Sequence, residues 1–446
     1  MSGEDQAEAR LRELLRDPRW SLPAGPDPEQ RVRRAARAQR LRLAGLAGVA
    51  AAAAVIAVAV PAGVGVLGHT PRPEQPPAAT TLYVATYNSN LHTHEGTVVP
   101  INTTTNTPGT PIRVVGGPNA PTIADNFGKI AITPNGKTAY VTTGSSVTPI
   151  STATGAPGKP IHIAPGSSGF DYPDFIAITP DGKTAYVASG PGTVTPISTA
   201  TNTAGTPIPV GSGPVWIAIT PDGKTAYVAS QAGTVTPINT ATNTPGTPIH
   251  IGAADFTAAG GAFIVITPDG KTAYVAEVSD TVIPINTTTN RPGKPIRLRN
   301  GSQVYWLAIA PDGKTLYVLT VAGNNTFQVT PISTATGTPG TPIPAGAAST
   351  SSTAAIGAGQ IAITPDGKTV YAANASGVTP ITTATNRPGN PTHVAGLLQI
   401  AITPDGKTVY AANNSGTLTP INTATGTPGK PIHVAGTFTQ AIAITP

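Results

Sequence analysis

A motif containing Pro-Asp-Gly-Lys recurs through most of the chain, and this repetition limits the folds that the chain can adopt. In its fullest copies the motif reads IAITPDGKTAYVA, and its turn proline falls at positions 134, 180, 221, 268, 311, 365, 404 and 446. Successive prolines are 46, 41, 47, 43, 54, 39 and 42 residues apart. A period of roughly 40–50 residues is typical of repeat proteins in which each unit buries its hydrophobic face against its neighbours.

Each repeat contains four segments of strand length separated by polar turns. The repeat that begins at Phe175, for example, contains IAIT, TAYVAS, TVTPIS and TPIPV. Isoleucine, valine, tyrosine and threonine favour a pleated, half-buried surface. Pro-Asp-Gly favours a tight hairpin because proline pre-sets φ, the aspartate side chain caps the turn and glycine accepts a positive φ. Four antiparallel strands at this period predict the blade of a β-propeller, so we predict an all-β fold with eight four-stranded blades.

The incomplete first and last copies complement each other. The first copy starts at Thr81 with TLYVA and lacks IAITPDGK, whereas the last copy, Gln440–Pro446, supplies only that opening segment. We expect the last copy to be a complete innermost strand that joins three strands from the N-terminal side of the domain. Such a 3+1 blade closes the ring and leaves no open sheet edge between the first and last blades.

The motif PDGKTAYVA at 180–188, 221–229 and 268–276 resembles the signature of the YVTN repeat family of β-propellers. The resemblance covers nearly all of residues 81–446. Familiar members of that family have seven blades, so seven is the alternative to the eight counted here. The resemblance also implies a bacterial cell-surface or secreted setting, with at least one relative linked to DNA binding, but a shared fold does not define a ligand.

The N-terminal region has a different composition. Residues 43–68 form a run of 26 residues without a charge, preceded by six arginines, Arg31, Arg33, Arg34, Arg37, Arg40 and Arg42. A helix rises about 1.5 Å per residue, so this run is long enough to cross a hydrocarbon core of about 30 Å. We predict a cytoplasmic arm at 1–42, one transmembrane helix at 43–68, a Pro-rich linker at 69–80 and a propeller at 81–446 outside the cell. A cleaved signal peptide is the alternative to the anchor.

The composition excludes several classes of site. The chain has no cysteine, which excludes disulfides and thiolate metal sites, and only 11% of its residues are charged. From residue 81 onward there are 16 Lys and Arg against 13 Asp and Glu, a balance of +3, which is weak support for nucleic-acid binding. The sequence lacks G-x-S-x-G, H-E-x-x-H, a P-loop and a Rossmann fingerprint. We expect a monomer without a cofactor.

Blade-specific residues are predicted on one face, in the loops that join the fourth strand to the next blade and the second strand to the third. The PDG and STATNTPG turns of the other face hardly vary. Aromatic and acidic side chains in or beside the variable loops suit a sugar or peptide ligand, such as a polysaccharide or protein of the cell envelope. The predicted binding residues are Asp125, Phe127, Phe170, Asp171, Tyr172, Asp174, Asp255, Phe256 and Tyr305. The alternative is that these loops only fill the wide mouth of an eight-bladed ring.

Three further patterns have simpler structural interpretations. His92, His94 and Glu95 form the one close His/His/acid group in the sequence, but zinc needs at least one more ligand or a water, so a polar loop is favoured. The turn aspartates are better explained by turn chemistry than by calcium, which needs about six to eight oxygens. The fourth segments carry Arg113, His162, His250, Arg297, His393 and His433, which we expect to protect exposed sheet edges.

Two functions remain at this stage. The favoured one is a noncatalytic binding or scaffold module at the cell surface. The alternative is a propeller hydrolase of the lactonase type, since lactonases on similar propellers use acidic, arginine and histidine residues gathered at the central mouth. Such a set cannot be matched here residue by residue. A cluster of ionisable side chains around one mouth would favour the hydrolase, and a smooth mouth rich in Ser and Thr would favour the binding module.

Overall fold

Eight antiparallel sheets, one for each repeat, follow one another along the chain in the computed structural model. The structure describes residues 80–87, 95–115, 127–143, 145–163, 173–189, 192–252, 263–276, 280–298, 303–323, 325–347, 359–374, 377–434 and 438–446. Every regular element in this part of the chain is a β-strand. The eight-bladed β-propeller is therefore confirmed, and the seven-bladed alternative is wrong.

The strands are numbered in chain order. The first half comprises β1 (Thr81–Tyr87), β2 (Glu95–Asn102), β3 (Thr107–Pro108), β4 (Ile112–Val115), β5 (Phe127–Ile132), β6 (Thr138–Thr143), β7 (Ser146–Ser151), β8 (Ile161–His162), β9 (Pro173–Ile178), β10 (Thr184–Ser189), β11 (Thr193–Ser198), β12 (Thr203–Ala204), β13 (Ile208–Pro209), β14 (Pro214–Ile219), β15 (Thr225–Ser230), β16 (Thr234–Asn239), β17 (Thr244–Pro245), β18 (Ile249–His250) and β19 (Phe263–Ile266). The second half comprises β20 (Thr272–Ala276), β21 (Thr281–Asn286), β22 (Arg291–Pro292), β23 (Ile296–Arg297), β24 (Gln303–Ile309), β25 (Thr315–Val321), β26 (Thr326–Ser333), β27 (Thr338–Pro339), β28 (Ile343–Ala347), β29 (Gln360–Ile363), β30 (Thr369–Asn374), β31 (Gly377–Thr382), β32 (Arg387–Pro388), β33 (Thr392–His393), β34 (Leu397–Ile402), β35 (Thr408–Asn413), β36 (Thr417–Asn422), β37 (Ile432–His433) and β38 (Phe438–Ile444).

These strands divide into blades in sequence order. Blade 1 contains β38 and β1–β4, blade 2 β5–β8, blade 3 β9–β13, blade 4 β14–β18, blade 5 β19–β23, blade 6 β24–β28, blade 7 β29–β33 and blade 8 β34–β37. The first strand of each blade contacts the first strands of both neighbouring blades, and the series returns from β38 to β5. The first strands therefore surround the central channel, and the later strands of each blade lie progressively further out.

The ring closes through a shared blade, as predicted. Strand β38 pairs antiparallel with β1, with Leu82 opposite Ile444 and Val84 opposite Ile442. The junction extends one residue further, because Thr445 N donates to Thr81 O at 2.9 Å. The edge of β1 that faces the channel is thus paired by the C-terminal strand, which supplies the ladder partners that an open ring would lack.

Hydrophobic cores lie between neighbouring blades. Ala441 and Ala443 of blade 1 pack in one cluster with Ile130 and Ile132 of blade 2, and all four side chains are buried. Burying an isoleucine side chain contributes about 1.5–3 kcal/mol relative to leaving it exposed. Six of the eight repeats carry Ile-Ala-Ile on the first strand, and blades 5 and 6 carry Ile-Val-Ile and Leu-Ala-Ile, so similar packing recurs around the ring.

The Pro-Asp-Gly-Lys turn has the geometry that its residues predict. In blade 3 the Thr179 hydroxyl donates to Asp181 Oδ1 at 2.6 Å, and Lys183 N donates to the same oxygen at 3.0 Å. Gly182 has a φ of 71°, which glycine adopts without strain. In blade 2, where Asn135 replaces the aspartate, its side-chain oxygen accepts from Thr133 in the same way at 2.8 Å.

The second turn connects each blade to its neighbour. The buried Tyr186 of blade 3 donates from its hydroxyl to Asn243 Oδ1 in the STATNTPG-type turn of blade 4, at 2.6 Å. Asn243 holds a φ of 54°, a conformation that asparagine tolerates better than most residues. The equivalent pairs are Tyr140 with Asn202, Tyr227 with Asn290, and Tyr410 with Asn106.

The fourth strand differs from the single segment that the sequence predicts. In blade 1 it is broken into β3 and β4, which pair with opposite ends of β2. Prolines cause the break because they remove ladder donors, and Gly109 N instead donates to Pro100 O at 2.7 Å. The His, Arg or Pro at the end of this strand is exposed in every blade, as expected for residues that protect an outer sheet edge.

The predicted arm, anchor and linker at 1–42, 43–68 and 69–80 lie outside the described residues, except for Thr80. Within the described part of the chain there is no helix that could cross a membrane.

Candidate functional site

One position on the eight innermost strands carries most of the chemical variation inside the channel. It lies five residues before the turn proline of each repeat. This position is near the end of the strand that the variable loops join. We call these residues the channel ring: Lys129, Phe175, Trp216, Phe263, Trp306, Gln360, Gln399 and Ala441. Aromatic residues occupy four consecutive blades, 3 to 6, whereas blades 7, 8, 1 and 2 carry two amides, an alanine and a lysine.

The aromatic half of the channel ring forms one cluster around Trp216. Its ring centroid lies 4.3 Å from that of Phe175, 5.4 Å from that of Phe263 and 5.3 Å from that of Trp306. Trp216 and Trp306 belong to blades 4 and 6, so their contact shows that the side chains converge towards the channel axis. Phe175, Phe263 and Trp306 are buried, and Trp216 is partly exposed. Tilted and edge-on rings at these distances contribute about 0.5–1.5 kcal/mol per pair beyond burial.

The other half of the channel ring, in blades 7, 8, 1 and 2, is called the amide half after its two glutamines. These glutamines bind the backbone of neighbouring blades. Gln360 Oε1 accepts a hydrogen bond from Ile400 N at 2.8 Å, and Gln399 Oε1 accepts one from Ile442 N at 3.1 Å. Innermost strands are sheet edges with backbone donors directed at the channel, so these glutamines replace ladder partners. Among the described residues, Gln360 Nε2 has no hydrogen-bond partner although the side chain is only 2% exposed. Leaving such a donor unpaired costs about 1–3 kcal/mol, so this amide favours a bound acceptor.

Five other buried side-chain oxygens have no hydrogen-bond partner among the described residues, and three of them lie at the same end of the inner strands: Thr143 Oγ1, Ser189 Oγ and Thr439 Oγ1. The other two, Thr148 Oγ1 and Thr195 Oγ1, lie on third strands. Thr143 and Ser189 end the second strands of blades 2 and 3, and Thr439 lies two residues before Ala441 of the channel ring. This end of the channel therefore offers hydroxyls as well as an amide to a ligand.

Most innermost strands are distorted just before the channel ring. In blade 6 Val304 pairs with Thr320 and Trp306 with Leu319, so Tyr305 is the extra residue of a β-bulge. Equivalent register shifts precede the ring residue in blades 1, 2, 3, 4 and 8. A bulge adds local twist and changes the direction of a side chain, and bulges recur beside functional sites.

Three of the predicted binding residues lie on described strands at this end. Tyr305 is partly buried, its ring lies 5.4 Å from that of Phe327, and burial raises the pKa of its hydroxyl. Phe127 begins β5 and Asp174 is the bulge residue of β9, but their side chains lie outside the described part. The other predicted binding residues, Asp125, Phe170, Asp171, Tyr172, Asp255 and Phe256, lie outside the described residues.

The weak metal candidates are not assembled into a site in the described structure. His92 and His94 lie outside the described residues, and Glu95 begins β2 opposite Val115. Across the described ranges there is no group of three His, Cys, Asp or Glu side chains that could hold a metal ion.

The turn carboxylates lie at the opposite end of the strands and have a structural role. A hydrogen bond from the Thr220 hydroxyl, followed by one from Lys224 N, holds the pKa of Asp222 below its ordinary value. Lys224 Nζ also lies 3.4 Å from Asp222 Oδ2, and both side chains are exposed. The same arrangement recurs at Asp181, Asp269 and Asp366. Each turn satisfies its own carboxylate, as turn chemistry predicts, so none needs a calcium ion.

The channel ring was not among the predicted binding residues. Those residues lie in or beside the loops between strands, whereas Phe175, Trp216, Phe263 and Trp306 lie within the repeated strand. The signal was present: aligning the eight copies on the turn proline places four aromatics and two glutamines at one position of an otherwise uniform strand.

No protein-family model and no curated protein matches the chain. Solved structures that resemble it include Kuenenia stuttgartiensis hydrazine synthase, with 23% sequence identity, a TM-score of 0.53, and coverage of 66% of this chain and 95% of that chain. They also include the dihydro-heme d1 dehydrogenase NirN in complex with DHE, with 12% identity, a TM-score of 0.60, and coverage of 84% and 77%. At these identities the likeness concerns the fold alone, and that fold is the eight-bladed β-propeller.

Proposed function

We propose that this protein is a noncatalytic binding propeller of the YVTN-repeat type, held outside the cell by a membrane anchor at 43–68. The observation that supports binding is the division of the channel ring into an aromatic half and an amide half. This division lies at the end of the propeller that carries the blade-specific loops, whereas the opposite end repeats the same turns. Variable residues on a rigid scaffold are the usual arrangement of a binding site.

The chemistry of the channel ring favours a ligand with an apolar face and hydrogen-bond acceptors. The partly exposed Trp216 supplies aromatic surface, and Gln360 Nε2 supplies a buried donor that has no partner in the described part of the chain. Sugars and peptides combine these features, so a polysaccharide or protein of the cell envelope is the proposed partner.

The described turn carboxylates support a noncatalytic role. The aspartates of the Pro-Asp-Gly-Lys turns are occupied by threonine hydroxyls, backbone donors and lysines at the end away from the channel ring. A hydrolase needs an acid, a base or a nucleophile within hydrogen-bond reach of one substrate. The uncharged run of 26 residues behind six arginines supports the anchor and its orientation.

The test measures binding of the full-length protein to polysaccharide and protein fractions of the cell envelope. The central variant is Gln360→Met, with Gln399→Met as its control. Each change removes one side-chain acceptor of a backbone N–H, from Ile400 and Ile442 respectively, so their costs in stability should be similar. Only Gln360→Met removes the unpartnered donor, so it should weaken binding about tenfold more than Gln399→Met does, as expected for one lost hydrogen bond.

The same preparation should be assayed for hydrolysis of lactones. Turnover that is lost in Gln360→Met would contradict the noncatalytic role and favour the lactonase-type alternative. Equal binding by both variants would place the ligand away from the channel ring. Protease applied to intact cells should remove the propeller and leave the arm protected, and protection of the whole chain would contradict the proposed topology.

A further inference from the structure

We propose that the outer edge of blade 5 is a docking surface for a linear polymer with a phosphate backbone. We define the blade 5 edge as Arg291, Lys294 and Arg297, which lie on β22, the following connection and β23. This surface is separate from the channel ring, so its test is independent of the proposed function.

The blade 5 edge differs from the same edge of the other blades in its number of permanent cations. The three equivalent positions are Thr107, Thr110 and Arg113 in blade 1; Ala156, Lys159 and His162 in blade 2; Thr203, Thr206 and Pro209 in blade 3; Thr244, Thr247 and His250 in blade 4; Thr338, Thr341 and Pro344 in blade 6; Arg387, Asn390 and His393 in blade 7; and Thr427, Lys430 and His433 in blade 8. Only blade 5 has a permanent cation at all three. Blades 3, 4 and 6 have no permanent cation at these positions, so the scaffold does not need these charges.

The three cations form a row along the sheet edge. Arg291 pairs with Asn286 at one end of β21, and Arg297 pairs with Thr281 at the other end. Asn286 and Thr281 are five residues apart, so at about 3.3 Å per residue this separation corresponds to roughly 16 Å, with Lys294 between the two arginines. All three residues are exposed. The partners of Arg291 and Arg297 on β21 are an odd number of residues apart, so the two side chains leave opposite faces of blade 5. An extended polymer therefore reaches all three cations along the outer rim of the blade, where the paired strands fix the backbone positions.

The charge of the blade 5 edge is not neutralised within the described structure. Among the described residues, Arg291, Lys294 and Arg297 form no ion pair, unlike Lys224, which lies 3.4 Å from Asp222. The nearby Asp280 accepts a hydrogen bond from the Thr281 hydroxyl at 3.2 Å. Strand β22 also packs against β18 of blade 4, which ends at the exposed His250.

The residue types favour phosphate as the recognised group. Arginine presents a planar fork that matches phosphate oxygens, and lysine adds a point charge. No aromatic residue occurs at 290–298, so this edge lacks the surface on which nucleobases or sugar rings stack. Recognition then depends on charge, and affinity should fall steeply with salt.

The test measures binding of inorganic polyphosphate to the full-length protein. The variant Arg291→Thr, Lys294→Thr, Arg297→Thr introduces a residue that other blades use on this edge. Its control, Lys183→Thr, Lys224→Thr, Lys271→Thr, removes the same charge from exposed turn lysines. At about 50 mM salt the blade 5 variant should bind at least tenfold more weakly, and its slope of log K against log salt should be smaller by roughly 2–3. The control variant should change affinity less than twofold, and thermal unfolding checks that both fold.

A gain-of-function variant makes the test independent of damage to blade 5. Thr338→Arg, Thr341→Lys, Pro344→Arg transfers the row to blade 6 and should double the number of polyphosphate sites. Equal losses of polyphosphate affinity in the blade 5 variant and in the turn-lysine control would show that net charge alone is responsible. That result would overturn the proposal. Tighter binding of polygalacturonate, whose charges are carboxylates, than of polyphosphate would reject phosphate as the recognised group.

Discussion

Tyr410 donates a hydrogen bond from its hydroxyl to Asn106 Oδ1 at 2.5 Å, although 304 residues separate them in sequence. Tyr410 belongs to the second strand of blade 8 and Asn106 to the outer turn of blade 1, so this bond crosses the junction where the ring closes. Equivalent tyrosine–asparagine bonds join blades 2 and 3, 3 and 4, and 4 and 5. Closure therefore uses the same contact as three other blade interfaces, in addition to the pairing of β38 with β1.

Replacing Tyr410 by phenylalanine should lower the free energy of unfolding by about 1–2 kcal/mol, because the buried hydrogen bond to Asn106 is lost. Tyr371→Phe is the matched control. Its turn partner is Gly426, so its hydroxyl reaches only Thr423 O, at 3.4 Å. The control should lower the free energy of unfolding, measured by urea denaturation, by less than half as much. Equal losses would show that the asparagine contributes nothing to the interface.

Alkaline pH should destabilise the protein in a defined window. Burial raises the pKa of Tyr140, Tyr186, Tyr227 and Tyr410 to about 12 from the ordinary value of 10.0. A raised folded-state pKa gives stability that is fully present below pH 10 and is lost as the pH rises through about 12, amounting to about 2–3 kcal/mol per tyrosine. Tm measured from pH 9 to 12 should fall, and Tyr227→Phe should reduce the slope. An unchanged slope in this variant would contradict the assignment.

Acid should also destabilise the protein, because it protonates the turn carboxylates. Hydrogen bonds, first from the Thr220 hydroxyl, hold the pKa of Asp222 below 3.8, so its contribution is present above that value and is lost as the pH falls through the lowered pKa. Asp222→Asn should keep the acceptor, as Asn135 does in blade 2, but remove the titration. The difference in Tm between wild type and variant should shrink from pH 5 to pH 2.5. A constant difference would contradict this mechanism.

One blade lacks a turn hydroxyl, and restoring it should stabilise the protein. Ala310 replaces the threonine that in blade 4 donates to Asp222 Oδ1 at 2.7 Å and accepts from Thr225 N at 3.1 Å. Ala310→Thr offers the same two bonds to Asp312 and Thr315 and should raise the free energy of unfolding by about 1 kcal/mol. Thr220→Ala should lower it by a similar amount. Urea denaturation that shows no gain in Ala310→Thr would argue against the turn as an independent stabilising unit.

Removal of Gln440–Pro446 should destabilise the propeller far more than loss of seven residues from a terminus usually does. The deletion takes away most of β38, unpairs the channel-facing edge of β1 and uncovers Ile130 and Ile132 in the core between blades 1 and 2. We expect a fall in Tm of more than about 5 °C together with a tendency to aggregate at the open edge. A truncated protein with an unchanged Tm would contradict closure by this strand.

Local sequence signals predicted the repeated parts of the fold correctly. The hairpin at Asp181 and Gly182, the four strands of each blade and the shared blade of β38 and β1 follow from turn chemistry, β propensity and the position of the last repeat. The break of the fourth strand was missed, although the prolines that cause it are visible in every copy. The fourth segment was predicted as one strand because of its length, although its prolines lack the backbone donors that a continuous ladder needs.

The sequence by itself determined the blade count, the turns and the exposed edge residues, because these depend on interactions within a few residues of one another. Only the tertiary structure showed that Trp216 and Trp306 touch, that Gln360 Oε1 accepts from Ile400 N while Nε2 has no partner among the described residues, and that Tyr410 reaches Asn106. These contacts join different blades. Their distances depend on how closing the ring brings the innermost strands together around one axis. Local sequence propensities do not determine these distances.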